Sequence, residues 1–343
     1  MSVVIPCHNY GHFLPLAVQS VLAQEGVDLE LIVIDDCSTD GSAEVASALA
    51  TREPRIEVRT HTRNRGHIAT YNEGVEASSG DYIVLLSADD LLAPGSLARA
   101  AALLEAHPQV GLAYGRAIPF SSPDPPPSRE RDCARWRLWH GHDWIRARCR
   151  QGWNVIYSPE AMMRATVQRA IGGYRAHLPR TADFEMWLRA ASVSDVGRLE
   201  SVEQAFYRVH PGSMSHTTHG DWHFQLREMA SSFATVAAEG LVPDAERQLE
   251  RAKRALAVRA LRELCRTYHR PGVTDRFALE TMSFAQSLVP DAQRLIQWRS
   301  LQWRRWLLRR WSTAPRCVLE LLSYLERGVH WRWLRWTGQE LRT

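Results

Sequence analysis

The sequence predicts an α/β protein in which a mostly parallel sheet is flanked by helices and is followed by an α-helical C-terminal region. Two observations support this fold class. The first 120 residues alternate short apolar runs with segments of helical periodicity, and the pattern is helical almost throughout from Trp222 onward. Strands that alternate with helices form a mostly parallel sheet that is covered on both faces.

Four strands and three helices are predicted in the alternating part. Continuous apolar runs are typical of buried parallel strands, and they lie at 3–5, 29–34, 56–59 and 82–86. Helical spacing of apolar residues occurs at 13–24, 43–51 and 68–77. Right-handed crossovers place the carboxyl ends of these strands at one edge of the sheet, where such sheets bind their ligands.

The rest of the chain is divided by breaks in the pattern. A Ser- and Pro-rich stretch at 121–135 predicts an exposed loop, and helical stretches follow near 159–170 and 182–192. Three to five further helices are expected after Trp222. With 343 residues, the chain is long enough for two domains, and we expect them at 1–215 and 216–343.

Composition excludes several classes of protein. With 45% hydrophobic and 23% charged residues, the chain is ordinary for a globular protein and is not a disordered or fibrous one. No run of 18 apolar residues predicts a spanning helix, and the first residues do not resemble a signal peptide. The six cysteines include no CxxC pair, so a zinc site has no support. We expect a cytoplasmic protein with reduced thiols.

The C-terminal tail, residues 298–343, is unusually rich in Trp and Arg. It holds seven of the 13 tryptophans, and its ten arginines and three glutamates give it a charge of +7 within a chain of net charge +4. This composition is compatible with a packed helical bundle or homo-oligomer interface, and with peripheral contact at the inner face of a membrane. No recognised nucleic-acid-binding fold is present, so no nucleic-acid partner is expected.

Paired aspartates follow the second predicted strand. Asp35 and Asp36 leave this strand, and Asp40 stands just before the next helix. A carboxylate at the ligand edge of the sheet can accept a hydrogen bond from a nucleobase N–H or a ribose hydroxyl. The alternative is that these acids only cap the turn and the helix, which explains Asp40 better than it explains two adjacent acids directly after a strand.

A second acidic pair, Asp89 and Asp90, comes just after the fourth predicted strand. Two carboxylates suit a hard divalent cation, which can neutralise a diphosphate. The alternative is an Asx turn, but two acidic strand ends at one sheet edge repel each other without a cation or ligand. Between the two pairs, Arg65 and the start of a helix at Gly66 add positive potential at the same edge.

These motifs together resemble family 2 glycosyltransferases, the inverting class with the GT-A nucleotide-sugar fold. Four elements occur in the order and spacing of that family. They are Val4 to Asn9, Asp35-Asp36 with Asp40-Gly41-Ser42, Asn64 and Gly66 followed by Asn72 and Gly74, and Ser79 to Tyr82 leading to Asp89-Asp90. The resemblance covers about 120 residues closely and extends more loosely to about residue 215.

The resemblance implies a role for each matching residue. It assigns binding of the nucleotide-sugar donor to Pro6, His8, Asn9, Asp35, Asp36, Arg65, Asn72, Ser87 and Asp89. It implies that Asp89, Asp90 and His210 hold Mg²⁺ or Mn²⁺ against the diphosphate, in a motif of the DXD type. It makes Asp183 the general base. Contacts with the acceptor or the diphosphate are assigned to Glu185, Trp187 and Arg208.

Three positions depart from the family pattern. Ser87 stands where an acid often precedes the Ala-Asp-Asp triplet, and His8 stands where a tyrosine is frequent. Ala182 replaces the acid that commonly precedes the base, so both Asp183 and Glu185 remain candidates, of which Asp183 is favoured.

The sequence thus predicts metal-assisted transfer of a sugar from a UDP- or dTDP-sugar to a hydroxyl of a glycan, a lipid-linked or a natural-product acceptor. Residues 1–215 are expected to be catalytic, and residues 216–343 to shape the acceptor side, an oligomer interface or a membrane contact. One alternative is a nucleotidyltransferase, which lacks support because no Gly-rich basic phosphate loop is present. The other is a catalytically degenerate GT-A-fold binding module that acts through its Trp/Arg-rich tail.

Overall fold

The computed structural model describes residues 1–127, 135–213, 219–268 and 274–310. Its first seven elements confirm the seven predicted from the alternating pattern, each boundary within two residues. They are β1 (Ser2–Cys7), α1 (Leu14–Leu22), β2 (Glu30–Asp35), α2 (Ser42–Arg52), β3 (Ile56–Thr60), α3 (His67–Ala77) and β4 (Tyr82–Leu85).

The middle of the chain adds seven short strands and four helices within the described residues. They are β5 (Leu91–Leu92), α4 (Ser96–Ala106), β6 (Val110–Tyr114), β7 (Ala117–Phe120), β8 (Trp136–Trp139), α5 (Gly141–Gln151), β9 (Ala161–Arg164), α6 (Ala165–Ile171), α7 (Ala182–Val193), β10 (Asp195–Leu199) and β11 (Ala205–Arg208). Four helices follow, as the helical pattern predicts. They are α8 (His219–Ala238), α9 (Ala245–Thr267), α10 (Asp275–Leu288) and α11 (Ile296–Arg310).

Eight of these strands form one sheet in the order β3-β2-β1-β4-β9-β6-β10-β8. The first four are parallel, and so are β6 and β10, whereas β9 and β8 run antiparallel to their neighbours. This confirms the predicted α/β fold with a mostly parallel sheet. The carboxyl ends of β1, β2 and β4 therefore lie side by side at one edge.

The predicted helix near 159–170 is half wrong. Residues 161–164 form β9, and the helix begins only at Ala165. Met162 and Met163 are buried because β9 fills the gap between β4 and β6. A short central strand is apolar on both faces. Its sequence pattern therefore cannot be distinguished from that of a buried helix by periodicity alone.

Close packing of α3 on the sheet explains one glycine of the predicted motifs. A Cβ atom added to Gly74 would lie 2.2 Å from the Cγ1 atom of Val4 on β1. Only glycine therefore lets α3 approach the sheet at this point. The approach fixes the N-terminal end of α3 beside the carboxyl ends of β1 and β2.

The C-terminal helices share a hydrophobic core with the sheet domain. One buried cluster includes Tyr114 and Trp187 from the sheet domain together with Met229 and Phe233 on α8 and Leu256 on α9. Residues on both sides of the expected domain boundary at 215/216 belong to this cluster. The division into two domains at that position stays a prediction.

Several sequence-based expectations concern the surface and the tail. Cys7, Cys37, Cys149 and Cys265 are free thiols. Among the described helices, none is both long and apolar enough to span a bilayer. Residues 311–343 of the Trp/Arg-rich tail lie outside the described residues, so the proposed oligomer and membrane contacts of that segment stay predictions.

Candidate active site

A cleft of about 1490 Å³ opens at the carboxyl edge of the sheet. Residues from the ends of β1, β2, β4, β6 and β10 line it, together with the start of α3, part of α5 and the start of α7. Of the predicted site residues, Pro6, His8, Asn9, Asp36, Ser87, Asp89, Asp90 and Asp183 line this cleft. The parallel topology therefore brings the two acidic strand ends together, as the sequence predicts.

The loop after β1 forms one wall. His8 places Nδ1 2.9 Å from the backbone oxygen of Asp36, while its Nε2 lies 3.2 Å from the amide nitrogens of both Asn9 and Asn64. Because those two amides can donate to Nε2, the ring proton belongs on Nδ1, which then donates to Asp36. Asn9 has a positive φ of 58° and accepts the backbone N–H of Thr39. Hydrogen-bond partners at both ring nitrogens thus hold His8 in a fixed orientation.

Asp36 is held by the loop that leads into α3. Its carboxylate accepts the backbone N–H groups of Arg65 (2.7 Å) and Gly66 (2.8 Å) and lies 2.7 Å from Nδ1 of His61. Burial raises the pKa of Asp36, but these donors outweigh it and hold the pKa below its usual value. Asp36 is therefore an anion that shapes the cleft wall.

Asp35 does not line the cleft, and its predicted role in donor binding stays a prediction. Its side chain is buried, and one oxygen accepts the backbone N–H of Ser38 at 3.0 Å. Asp40 likewise accepts N–H groups from Gly11 and Ser42. Asp35 and Asp40 therefore accept backbone N–H groups of the turn and the helix start, as the capping alternative predicts. Of the three acids, only Asp36 lines the cleft.

Arg65 and Asn72 also lie outside the cleft lining, so their predicted roles in donor binding stay predictions. The Arg65 guanidinium pairs with Glu73 on α3. The Asn72 amide makes two hydrogen bonds to the backbone of Tyr174, at 2.6 and 2.9 Å. Asn72 therefore fastens α3 to the segment before α7.

The second acidic pair sits at the bottom of the cleft. Asp89 and Asp90 are both buried, and burial raises the pKa of Asp90, as does the adjacent Asp89 carboxylate. The backbone N–H of Asp90 donates to the carbonyl of Ser87 at 3.0 Å, which closes the turn. Nε2 of His210 lies 3.1 Å from Asp89, but His210 itself does not line the cleft.

Arg208 holds this turn by hydrogen bonds from outside the cleft. Its backbone N–H donates to the Asp90 carboxylate at 2.8 Å, and its Nε donates to the Asp89 carbonyl at 2.9 Å. Its guanidinium lies between the rings of Phe13 and Phe120, at 4.6 and 4.4 Å from their centroids. Arg208 is outside the cleft lining and holds the acidic pair in position, and its predicted direct contact with diphosphate or acceptor stays a prediction.

The acidic pair fits an open cation site. Two adjacent carboxylates supply hard oxygen ligands of the kind that Mg²⁺ and Mn²⁺ prefer. Among the described residues, no three His, Cys, Asp or Glu side chains are grouped so that they could hold a metal ion by themselves. A cation bound here would therefore need oxygens from a ligand to complete its coordination. His210 orients Asp89 in this arrangement, and its role as a metal ligand stays a prediction.

Asp183 lines the opposite wall at the first turn of α7. One carboxylate oxygen accepts the backbone N–H of Phe184 at 2.7 Å, and the other accepts the side-chain amide of Asn154 at 3.2 Å. Burial raises the pKa of Asp183 to about 6, although these two donors partly oppose the shift. A carboxylate with a raised pKa that faces a cleft is suited to general-base chemistry near neutral pH.

Glu185 and Trp187 are buried in the core and lie outside the cleft lining, so their predicted contact with acceptor or diphosphate stays a prediction. Glu185 is fully buried and lies 2.8 Å from Nε of Arg189 and 3.0 Å from Nε of Arg175. Trp187 belongs to the buried cluster that joins the sheet to the C-terminal helices. The geometry thus separates the two candidate bases, since only Asp183 reaches the cleft.

Two further lining residues, Asn154 and Tyr157, are not among the residues predicted from the sequence. They belong to the segment that leads into β9. Because β9 runs antiparallel to β4 and β6, the residues before it lie at the carboxyl edge of those strands. The sequence signal for these residues is the polar and aromatic stretch directly before β9. The prediction of a helix at 159–170 hides this signal, because the residues before a helix have no fixed place at the sheet edge.

Comparison with known proteins is consistent with this geometry. The family described as Glycosyl transferase family 2 matches residues 2–170. The succinoglycan biosynthesis protein ExoO of Rhizobium meliloti is 35% identical over 99 residues, which cover 29% of this chain and 28% of that protein. The chain spans between 28% and 61% of the length of three curated relatives that it matches.

Solved structures share the fold over most of the chain. TarS of S. aureus (residues 1–349, in complex with UDP) has a TM-score of 0.57 at 17% identity, covering 84% of this chain and 80% of the TarS chain. Mannosyltransferase PcManGT from Pyrobaculum calidifontis, in complex with GDP-Man and Mn²⁺, has a TM-score of 0.55 at 17% identity, covering 95% and 83%.

These findings place the chain among proteins with the GT-A fold. Residues 2–170, just under half of the chain, match the glycosyltransferase family 2 model.

Proposed function

We propose that this protein is an inverting glycosyltransferase that transfers a sugar from a UDP- or dTDP-sugar to an acceptor hydroxyl. The observation that carries the proposal is that Asp89, Asp90 and Asp183 line one cleft at the carboxyl edge of the sheet. The family 2 domain and the nucleotide or nucleotide-sugar complexes of TarS and PcManGT support the substrate class.

The donor end of the cleft is formed by the loops after β1, β2 and β4. Pro6, His8 and Asn9 form a wall of backbone and small polar groups beside the anionic Asp36. In the proposed complex the nucleoside lies against this wall, and its diphosphate lies toward the turn that holds Asp89 and Asp90.

A divalent cation, Mg²⁺ or Mn²⁺, bound by Asp89 and Asp90 supplies charge neutralisation for a diphosphate leaving group. The chain itself holds these two acids in place through Arg208 and His210. Without that support, two adjacent carboxylates would move apart, because they repel each other. Arg208 and His210 therefore act on the reaction by positioning.

Asp183 is the proposed general base. Above pH 6 its carboxylate is ionised and can accept the proton of an acceptor hydroxyl as that oxygen attacks the sugar carbon. Asn154 fixes the carboxylate by its hydrogen bond. Attack from the side opposite the leaving diphosphate inverts the configuration at this carbon, and no covalent sugar–enzyme intermediate is needed.

The alternative of a catalytically degenerate binding module is not favoured. Ser87 and Ala182 do lack the acids that the family often has at these positions. However, the residues proposed for catalysis, Asp89, Asp90 and Asp183, are all present in the cleft.

Stereochemistry tests the proposal without knowledge of the acceptor. We would incubate the protein and Mn²⁺ with α-linked UDP- and dTDP-sugars and follow slow transfer to water by proton NMR. We expect the β-anomer of the sugar to form first, and Asp183→Asn to stop its release while leaving UDP affinity unchanged. Initial release of the α-anomer, or equal rates for Asp183→Asn and wild type, would contradict the mechanism.

A further inference from the structure

Two arginines without acidic partners, the buried Arg148 and the half-buried Arg198, line another part of the cleft. Arg148 on α5 is only 7% exposed, lines the cleft, and has Nε and Nη1 atoms that donate no hydrogen bond. Arg198 on β10 also lines the cleft, and its Nε is buried without an acceptor. Buried guanidinium groups are rare unless they are paired, because desolvation of the charge is costly.

Aromatic rings hold these side chains but do not neutralise them. The guanidinium carbon of Arg148 lies 5.0 Å from the ring centroid of Trp144, and that of Arg198 lies 6.0 Å from that of Tyr114. In the described part of the chain, neither arginine forms an ion pair with a carboxylate. Burial lowers the pKa of Arg148 to about 10, and the nearby charges of Arg198 and Arg150 act in the same direction.

The charge of this region favours an anion. We call it the arginine end, and its lining includes Arg116, Arg137, Arg148, Arg150 and Arg198. Two acids line the same region, and both already have partners: Asp143 bonds Arg146 at 2.7 Å, and Glu160 accepts the backbone N–H of Tyr157 at 3.1 Å. An anionic ligand would supply the missing acceptors.

The arginine end is separate from the acidic pair. Asp89 and Asp90 follow β4, whereas Arg198 lies on β10, which is three strand positions away in the sheet. At ~4.8 Å per strand this corresponds to ~14 Å, too far for one diphosphate to reach both. On the side of the arginine end, Asn154, which follows α5, donates a hydrogen bond to the proposed base Asp183. The arginine end therefore lies on the acceptor side.

We propose that the arginine end is a subsite for an anionic group, phosphate or carboxylate, on the acceptor. This inference rests on the proposed function, which defines the donor and acceptor sides. Trp139 and Trp153 line the same region and offer flat apolar faces to a sugar ring. The acceptor is accordingly an acidic glycan or a sugar phosphate, and a neutral sugar would leave both guanidinium groups unpaired.

Calorimetry with simple probes tests the subsite. Inorganic phosphate, glucuronate and glucose are titrated into the protein, first alone and then with saturating UDP and Mg²⁺. We expect phosphate or glucuronate to bind in both conditions and glucose to bind far more weakly. Arg148→Gln and Arg198→Gln should weaken anion binding about ten- to hundredfold, since each removes a charged hydrogen-bond donor.

Controls separate this role from a structural one. Arg169→Gln removes the same charge from an exposed position on α6 and should leave binding unchanged. Arg148→Lys keeps the charge and should restore part of the affinity. Thermal unfolding should show no loss of stability in Arg148→Gln, because it removes an unpaired buried charge.

Three outcomes would overturn the proposal: equal anion affinity in Arg148→Gln and wild type, equal affinity for glucose and the anions, or displacement of phosphate by UDP. UDP binding is measured in the same titrations. Its absence would refute the proposed donor site without affecting the comparison between wild type and the arginine variants.

Discussion

Asp183 and Glu185 lie two positions apart on α7 and have opposite surroundings. At about 100° per residue, side chains two positions apart project about 200° apart around a helix. One therefore faces the cleft and the other faces the core, where it pairs with Arg189 and Arg175. The helical repeat therefore explains why Asp183 is available as the proposed base and Glu185 stabilises the core.

The raised pKa of Asp183 predicts the pH dependence of transfer. The base must be unprotonated, and the pKa of the carboxyl is about 6. We expect the rate to be constant above pH 7 and to fall about tenfold per pH unit below pH 6, because only the ionised fraction accepts a proton. Asp183→Asn should lower the rate ~10²–10⁴-fold and abolish this pH profile. A profile that is flat down to pH 4.5 would refute the assignment.

Glu185→Gln should affect folding and not chemistry. The change leaves the buried Arg189 guanidinium without its carboxylate, and breaking a buried ion pair costs about 3–5 kcal/mol. Urea unfolding would measure this loss. The protein that remains folded at low temperature should keep the acid limb of the wild-type pH profile. Loss of that limb would mean that Glu185 shares the role of the base.

At the scale of elements, α3 joins the donor wall to the segment that leads to the base. Its first turn follows the loop held by Asp36, and Asn72 in its middle binds the backbone of Tyr174. One helix thus couples the two walls of the cleft.

Asn72→Ala should loosen this connection. We expect a loss of about 1–3 kcal/mol in the free energy of unfolding, because the buried backbone groups of Tyr174 lose their partners. UDP affinity should be unchanged, since Asn72 lies outside the cleft. Asn64→Ala is a matched control on an exposed cleft residue and should leave stability nearly unchanged. A specific loss of UDP affinity in Asn72→Ala, with stability intact, would restore Asn72 to the donor site.

The sequence was most informative where strands and helices alternate along the chain. Continuous apolar runs predicted β1 to β4, and the parallel topology then placed Asp36, Asp89 and Asp90 at one edge. Sequence order alone does not indicate an inserted antiparallel strand, so β9 and the lining residues before it were missed. The side on which each carboxylate lies also cannot be predicted from adjacent acids in the sequence: Asp36 and Asp183 line the cleft, whereas Asp35 and Glu185 do not.

For the whole molecule, the C-terminal helices complete the core of the sheet domain. Met229, Phe233 and Leu256 belong to the same buried cluster as Tyr114 and Trp187. The helices therefore stabilise the wall of the cleft that carries Asp183.

A fragment of residues 1–215 should consequently not fold as an independent domain. Removing the helices exposes the apolar face of α7 and α5 to water, at a cost of about 25 cal/mol per Å². Circular dichroism and thermal unfolding of the purified fragment would test this. A fragment that unfolds cooperatively and binds UDP like the full chain would support an autonomous domain that ends at residue 215.

One cleft is lined by Asp36, Asp89 and Asp90 after β2 and β4, by Asp183 on α7, and by arginines on α5 and β10. Binding of UDP and dTDP by calorimetry, with and without Mn²⁺, tests the centre of this description most directly. We expect metal-dependent binding of at least one nucleotide to the wild type and its loss in Asp89→Asn/Asp90→Asn, while Asp183→Asn binds normally. Absence of nucleotide binding under every metal condition, or undiminished binding by the double variant, would contradict the assignment of the donor site.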